Sequence, residues 1–336
     1  MRNDTAVGLD EIERARAAIA DRLRPTPIQV SPILSELAGL PVWLKLEHHQ
    51  ITGSFKYRGA THAVLSLSDE EKAKGVVGVS TGNHGRGLAL AAREAGVRCI
   101  VCMSELVPQV KIDGIRAHGA EVRIAGRSQD DAEEEVRKLV EEEGMTLIPP
   151  FDHPKVIAGQ GTLGLELIEQ VPELRTVLVP LSGGGLISGV AAAIKAKRPH
   201  VRIIGVTMER GAAMYASQQA GRPVMVEELP TLADSLGGGI GLDNRYTFTM
   251  VRDLVDDIIL VSETEIALAI SHAYWKERQI VEGSGAVGIA ALLAGKIRSD
   301  GPLVVILSGG NIDMNDHLRI ITCESDRVTR GPAGHA

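Results

Sequence analysis

The strongest constraint in this chain is a repeated alternation of short apolar runs, each of strand length, with stretches of helical spacing. One series has strand-like runs at 76–80, 98–103, 121–125 and 146–151, separated by helical stretches at 82–95, 108–118 and 128–143. A second series reads helix 154–171, strand 176–181, helix 186–197, strand 201–207, helix 211–220, strand 257–261, helices 263–278 and 284–296, and strand 302–308. Continuous apolar strands alternating with helices predict parallel sheets covered on both faces. Ahead of them, Asp10, Glu11 and Glu13 suit the start of a leading helix over 9–23. Residues 41–47 alternate as a strand, and Ser54 is expected to cap a helix running to about residue 67. At 336 residues the chain is longer than one core usually serves, so two structural units, or one large doubly wound one, are expected.

Composition narrows the partners. Aromatic residues are only 3% of the chain, which leaves few stacking platforms for single-stranded nucleic acid or sugars. The net charge is −7 and the basic residues are scattered, so neither nucleic acid nor an anionic membrane is an expected partner. No apolar run approaches the roughly 20 residues that span a bilayer, and the amino-terminal residues lack a signal-like apolar stretch, so a cytoplasmic protein is expected. Cys99 and Cys102 lie in one strand-like run with side chains on opposite faces; with Cys323 they read as buried apolar residues, not a redox pair. The acidic runs 133–135 and 141–143 fall on one helix and read as a solvated face.

Three glycine-rich turns stand at the predicted carboxyl ends of strands, where open α/β sheets place their ligands: Ser182-Gly-Gly-Gly185, Gly237-Gly-Gly-Ile-Gly241 and Ser308-Gly-Gly-Asn311. In the first, bare backbone N–H groups and a helix dipole converge on one point, which suits a phosphate. A dinucleotide is the competing ligand. However, Gly183, Gly185 and Gly189 are wrongly spaced for that fingerprint, and Thr207 stands where a ribose-binding acid belongs. No Walker sequence is present. Lys56 falls in the first turn of its helix with Arg58 close in sequence, so its ammonium is expected to be destabilised and its amine available for Schiff-base chemistry.

Four segments in this order, Ser54-Phe-Lys-Tyr-Arg-Gly-Ala60, Ser80-Thr-Gly-Asn-His84, Ser182-Gly-Gly-Gly-Leu186 and Ser308-Gly-Gly-Asn311, resemble the fold-type II pyridoxal-phosphate enzymes of the serine/threonine dehydratase and serine racemase group. The resemblance covers about residues 10 to 320. Within that group, the segments around 46–54, 149–152, 208–214 and 232–243 are most similar to hydroxyectoine-utilisation dehydratases.

The resemblance implies a tryptophan synthase β-like α/β fold with two doubly wound parallel-sheet domains and the cofactor between them. It divides the chain into a large cofactor domain at 1–75 and 150–325, a small substrate-gating domain at 76–149 and a flexible tail at 326–336. It implies pyridoxal 5'-phosphate held as a Schiff base on Lys56, which then acts as base on the α-proton. The amides of Gly183, Gly184, Gly185 and Leu186 would bind the phosphate, Asn83 the phenolic oxygen and Ser308 the pyridine nitrogen. Phe55, Gly239 and Glu282 would also contact the cofactor. Ser80, Thr81, Gly82, Asn83 and His84 would receive the amino-acid substrate. The implied reaction is loss of water and ammonia from a 3-hydroxy-2-amino acid, either serine- or threonine-like or hydroxyectoine-derived, in a homodimer. Racemisation or β-replacement is the alternative.

Several positions depart from the group. Thr81 stands where the racemase carries its second catalytic base. Thr207, Gly211 and Ala213 stand where metal ligands occur, so no metal is expected there. Arg86 replaces a residue that is usually neutral in threonine dehydratases, close enough to read an extra polar group on the substrate. No long segment follows residue 320, so an appended regulatory domain is not expected. His48, His49, Asp152, Tyr57, Glu209 and Asp234 carry polar chemistry without an assigned role.

Overall fold

The computed structural model describes residues 7–80, 82–107 and 109–329, leaving aside the side chains of Gln129 and of 323–329. Helix α1 (Leu9–Ile19) leads to β1 (Ile28–Val30), α2 (Pro32–Ala38), β2 (Val42–Leu46) and α3 (Lys56–Leu65). Next come α4 (Asp69–Lys74), β3 (Val76–Val79), α5 (Asn83–Glu94), β4 (Cys99–Met103), α6 (Gln109–Arg116), β5 (Glu121–Ile124), α7 (Gln129–Glu143) and β6 (Thr146–Leu147). The chain continues with α8 (Pro154–Gln170), β7 (Thr176–Pro180), α9 (Gly185–Lys197), β8 (Arg202–Met208), α10 (Ala213–Ala220), α11 (Thr247–Leu254), β9 (Asp257–Val261) and α12 (Glu263–Trp275). It closes with α13 (Gly283–Leu293), β10 (Leu303–Leu307) and α14 (Met314–Thr329).

The strands form two sheets, so the fold is α/β of the doubly wound kind. The larger has six strands in the order β1-β2-β10-β7-β8-β9, all parallel except the β1 edge. Separate apolar cores cover its two faces, one built largely from α8 and α9 and the other from α12 and α13. The smaller sheet, β5-β4-β3-β6, is fully parallel, with α3, α5 and α6 on one face and α7 on the other. Cys99 belongs to one of these smaller cores and Cys102 to the other, which confirms their opposite orientation. Burial pushes both thiols up, to about 12 and about 11, so they stay protonated.

Strand order decides where the site sits. Strand β10 pairs with both β2 and β7, and from β7 the larger sheet runs outward through β8 to β9. The chain thus reverses its direction of winding between β7 and β10, and a doubly wound sheet opens a crevice at such a reversal. The loops after β7 and β10 carry two of the three glycine turns.

Several elements differ from the sequence reading. The run at 146–151 is a strand only at Thr146–Leu147, because Pro149 and Pro150 have no N–H to donate to a ladder. The turn at 237–241 follows a 3₁₀ turn at Asp234–Leu236, not a strand. Residues 326–329, read as the start of a loose tail, belong to α14; residues 330–336 lie outside the described residues. Ser54 does not cap α3. It forms an isolated bridge with Gly309, and Phe55 takes the cap position in helical conformation.

A buried charge network fixes α3. Arg58 is bidentate to Glu47 at 2.7 and 2.8 Å, and it also bonds Glu166 of α8 at 2.6 and 2.9 Å. Lys45 of β2 completes the set, 2.6 Å from Glu166. Removing one member would strand a buried charge at a cost of about 3–5 kcal/mol. Arg58 therefore holds the helix that carries Lys56 to both β2 and α8.

Candidate active site

One cavity gathers most of the residues singled out by sequence. Its wall includes Phe55 and Lys56 from the start of α3, Asn83 from α5, Ser182 to Leu186 after β7, Glu282 and Ser284 at the start of α13, and Ser308 after β10. Phe151, Pro180, Ser235 and Leu236 complete it.

The loop after β7 has no room for side chains. A Cβ on Gly183 would overlap the Phe151 ring, one on Gly185 would press on the Phe151 backbone, and Gly184 sits at φ +91° against Met214 and Thr247. Only glycine fits that backbone, and what the loop then offers is N–H groups at the positive end of α9. Asp152 holds the surrounding wall by accepting from the N–H groups of Arg245, Tyr246 and Thr247 at 2.7–2.9 Å, which caps α11.

Across the cavity, Lys56 donates to the Pro150 carbonyl at 2.7 Å, with its ammonium 5.3 Å from the Phe55 ring centroid. Burial lowers its pKa to about 8, partly opposed by Glu282. Arg58 plays no part in that shift, because its charge is taken up by Glu47 and Glu166. Residues 56 and 58 of a helix also face away from each other. Relative to an ordinary lysine, the free-amine fraction near neutral pH rises by roughly two orders of magnitude.

The third wall is polar. Asn83 donates to Glu282 at 2.6 Å and accepts from Asn311 at 2.6 Å, while the Asn311 N–H reaches the other Glu282 oxygen at 3.2 Å. Burial raises the Glu282 carboxyl to about 7, with Asp234 adding to the shift and the two asparagine bonds opposing it. The Ser80 hydroxyl accepts from the N–H groups of Gly82 and Gly85 at 3.2 and 2.8 Å, so it shapes its own turn. His84 is held neutral, its pKa lowered to about 3 by burial with Lys56 adding to the shift, and its Nε2 bonds the Ile148 carbonyl at 2.8 Å. A carboxylate at this turn would therefore meet backbone N–H groups, not an imidazolium.

Not every expected residue converges here. Gly239 is exposed in its loop and lines no part of the cavity. Thr81 lies outside the described residues. His48 and His49 stack edge to face at 4.3 Å and share Gln279 Oε1, behind the Ser308 loop. Tyr57 is buried and donates to Glu94, away from the cavity. The Thr207 hydroxyl turns toward Met208 Sδ. Among the described residues no three His, Cys, Asp or Glu side chains cluster to hold a metal. Pro150, Phe151, Asn311 and Ser284 are site residues that the sequence left without a role.

A desolvated lysine opposite bare backbone N–H groups at a helix start, in one cavity, is an arrangement that suits a carbonyl-bearing phosphate cofactor. A profile described as pyridoxal-phosphate dependent enzyme matches residues 19–309. The chain belongs to that family. It is 60% identical over 316 residues to a putative threonine dehydratase of Sinorhizobium fredii, covering 94% of this chain and 95% of that one. It is 42% identical to an L-threonine ammonia-lyase of Thermotoga maritima, over 94% of this chain and 78% of the relative. The structure of maize serine racemase superposes with a TM-score of 0.89 at 36% identity, over 97% of this chain and all of that one. The family member described here is thus a pyridoxal-phosphate-dependent lyase of the threonine dehydratase type. No described helix is long and apolar enough to cross a membrane.

The cavity fits the cofactor on its own evidence. The glycine loop is a cradle that any Cβ would fill. At the other end the Ser284 hydroxyl is buried without a hydrogen-bond partner among the described residues. Gly183, Gly184, Gly185 and Leu186 would hold the phosphate, Lys56 the carbonyl carbon, and Asn83 and Ser308 the ring's polar atoms.

Proposed function

We propose that this lyase converts a 3-hydroxy-2-amino acid to the corresponding 2-oxo acid with release of ammonia. Threonine, serine and a hydroxyectoine-derived 3-hydroxy-2,4-diamino acid are the candidate substrates. The observation that carries the reading is Lys56, a desolvated amine facing the glycine cradle across one cavity. When bound, pyridoxal phosphate supplies the electron sink that lets an α-proton leave. Lys56, released from its carbonyl contact at Pro150, takes that proton from the substrate Cα. The turn at 80–84 holds the α-carboxylate through backbone N–H groups, with His84 kept neutral beneath it. Ser308 places a neutral hydroxyl where a carboxylate would favour a longer-lived carbanion, so departure of the β-hydroxyl is favoured over return of the proton. Phe151 and Leu236 add apolar surface to the cavity lining.

In the same reading, 1–75 with 150–325 form the cofactor unit and 76–149 the substrate-gating unit. The Asn83–Glu282 bond and the Lys111–Asp234 ion pair, 2.7 Å, join the two. We take the assembly to be a cytoplasmic homodimer. In support, α12 and α14 pack together and expose Trp275, Met314 and Leu318, an apolar set suited to an interface. The solution mass should then be twice 35.8 kDa.

A panel of 3-hydroxy amino acids, read by ammonia, 2-oxo acid and epimer, tests the reaction. Ammonia in large excess over epimer is expected. Epimer formed as fast as ammonia would replace the dehydratase reading with a racemase.

A further inference from the structure

The cavity accounts for the cofactor and for the α-substituents of an amino acid, and one charged side chain on α5 has no hydrogen-bond or ion-pair partner among the described residues. Arg86 follows Asn83 by three residues on α5, so the two share a helix face. Asn83 reaches the cavity from that face. On the flanks, Gly85 packs against Ile115 of α6 and Gly87 against the backbone of Lys56 and Tyr57. Arg86 therefore leaves α5 between α6 and the site. Its guanidinium lies over Gly114, where any Cβ would collide with it. Gly114 stands three residues after Lys111, whose ammonium is 2.7 Å from Asp234, the neighbour of Ser235 in the cavity wall.

The Arg86 side chain is half-buried and makes no hydrogen bond or ion pair to any described residue. A guanidinium that loses water and gains no acceptor is costly to keep. Elsewhere the buried arginine of this protein is fully engaged, as Arg58 is with Glu47 and Glu166. Glu282 is the acid whose field reaches Arg86, but its oxygens are occupied by Asn83 and Asn311.

We propose that Arg86 is a specificity-determining residue that reads an anionic group at the far end of the substrate, so that the preferred substrate is a 3-hydroxy-2-amino dicarboxylic acid. The proposal rests on the dehydratase reading and names the substrate class of that same site. The planar guanidinium fork matches a carboxylate bidentately, whereas the nearby Lys111 ammonium is already paired with Asp234. A free 4-ammonium would face the unpaired guanidinium. A methyl group, as in threonine, would leave the guanidinium unpaired.

Two measurements on the holoenzyme test it. The first compares kcat/KM for 3-hydroxyaspartate, threonine and 3-hydroxy-2,4-diaminobutyrate. The second titrates the cofactor's absorbance with aspartate and with alanine, which have no β-hydroxyl to lose. The dicarboxylates should be favoured by on the order of 10- to 100-fold in both, the weight of one charge-assisted pair. In Arg86→Gln both ratios should fall by that factor, and Arg86→Lys should keep part of them. Ratios near one in the unmodified enzyme, or ratios that Arg86→Gln leaves unmoved while all substrates change together, would overturn the assignment and make Arg86 a packing residue. Failure of the dehydratase reading looks different: no 3-hydroxy amino acid yields ammonia, yet aspartate still outbinds alanine and loses that advantage in Arg86→Gln.

Discussion

Two strand-to-helix turns face each other in this protein, and both offer backbone N–H groups at a helix start. The turn after β7 is closed on every side, with Phe151, Met214 and Thr247 filling the space a side chain would need. The turn after β3 is looser: a Cβ on Gly82 would meet nothing, and two of its N–H groups are already satisfied by Ser80. The close packing of the first suits a group that stays bound. The second begins α5, which packs on α3, and it meets the far wall of the cavity through polar ties, Asn83 to Glu282 and Asn311 and, from α6, Lys111 to Asp234, an arrangement suited to a ligand that comes and goes. Permanence comes from apolar packing around bare amides, and exchange from polar ties that can be remade.

Lys56 sits on the permanent side, and its loss should have the largest effect. Lys56→Ala should lower turnover on the order of 10⁴-fold, and borohydride reduction should attach cofactor to Lys56 in the unmodified protein; attachment to another lysine would break the assignment. Because burial lowers this amine to about 8, the rate of cofactor capture should climb as pH rises through that value. Gly184→Asp attacks the cradle itself, placing a carboxylate against a phosphate at φ +91°. Cofactor affinity should fall on the order of 10³-fold, the interaction of like charges about 4 Å apart at a protein surface. Retained affinity with an intact fold would place the phosphate elsewhere.

The exchanging side predicts smaller effects of a different kind. Glu282 has its folded pKa raised to about 7, so its contribution to stability is fully present below its unfolded value and is lost as pH rises through 7. In cofactor-free protein, Glu282→Gln should remove that decline. Relative to the unmodified chain it should gain up to roughly 3 kcal/mol by pH 8 and almost nothing at pH 4. Denaturant melts across that range read the difference, and a constant offset would show that the carboxyl is not shifted. Ser80→Ala frees the N–H groups of Gly82 and Gly85 from their internal acceptor. It should change KM for the amino acid by about ten-fold while cofactor affinity stays put. A parallel loss of cofactor would mean that the two turns are not separate in function.

The permanent side was also the more legible in sequence. Strands β7 and β10 are continuous apolar runs followed by glycines, so both the strands and the cradle stand out without tertiary information. The opposite wall is assembled from residues far apart in the chain. Asn83, Glu282 and Asn311 meet only because β3 and β10 end at the same crevice, and nothing local to Asn311 or Pro150 signals that meeting. Short or strongly polar elements such as β1 and α4 lack the apolar periodicity that reveals helices and strands. Ser54 does not cap α3 because the Phe55 N–H is drawn to the Ser308 carbonyl, a contact 253 positions away in sequence. Arg58, close to Lys56 in sequence, leaves the opposite side of α3 for Glu47 and Glu166, a separation that only the tertiary fold reveals.

The end of β8 provides a third strand end against which to judge both turns, and the smallest effect is expected there. It carries Thr207, whose hydroxyl is directed to Met208 Sδ, followed by Gly211 and Ala213, so these three positions present no carboxylate. Hard divalent cations need several oxygen ligands, usually with carboxylates among them. The nearby acids are engaged or dispersed: Asp234 pairs with Lys111, and no described group of three acidic, histidine or cysteine side chains assembles. Prolonged chelation should therefore leave turnover within about two-fold and the melting temperature unchanged, since an unbound ion can contribute no linkage to stability. A large loss that magnesium or calcium restores would show that a cation joins the loops at this crevice. The exchanging turn would then be held by an ion as well as by the polar ties of Asn83 and Lys111.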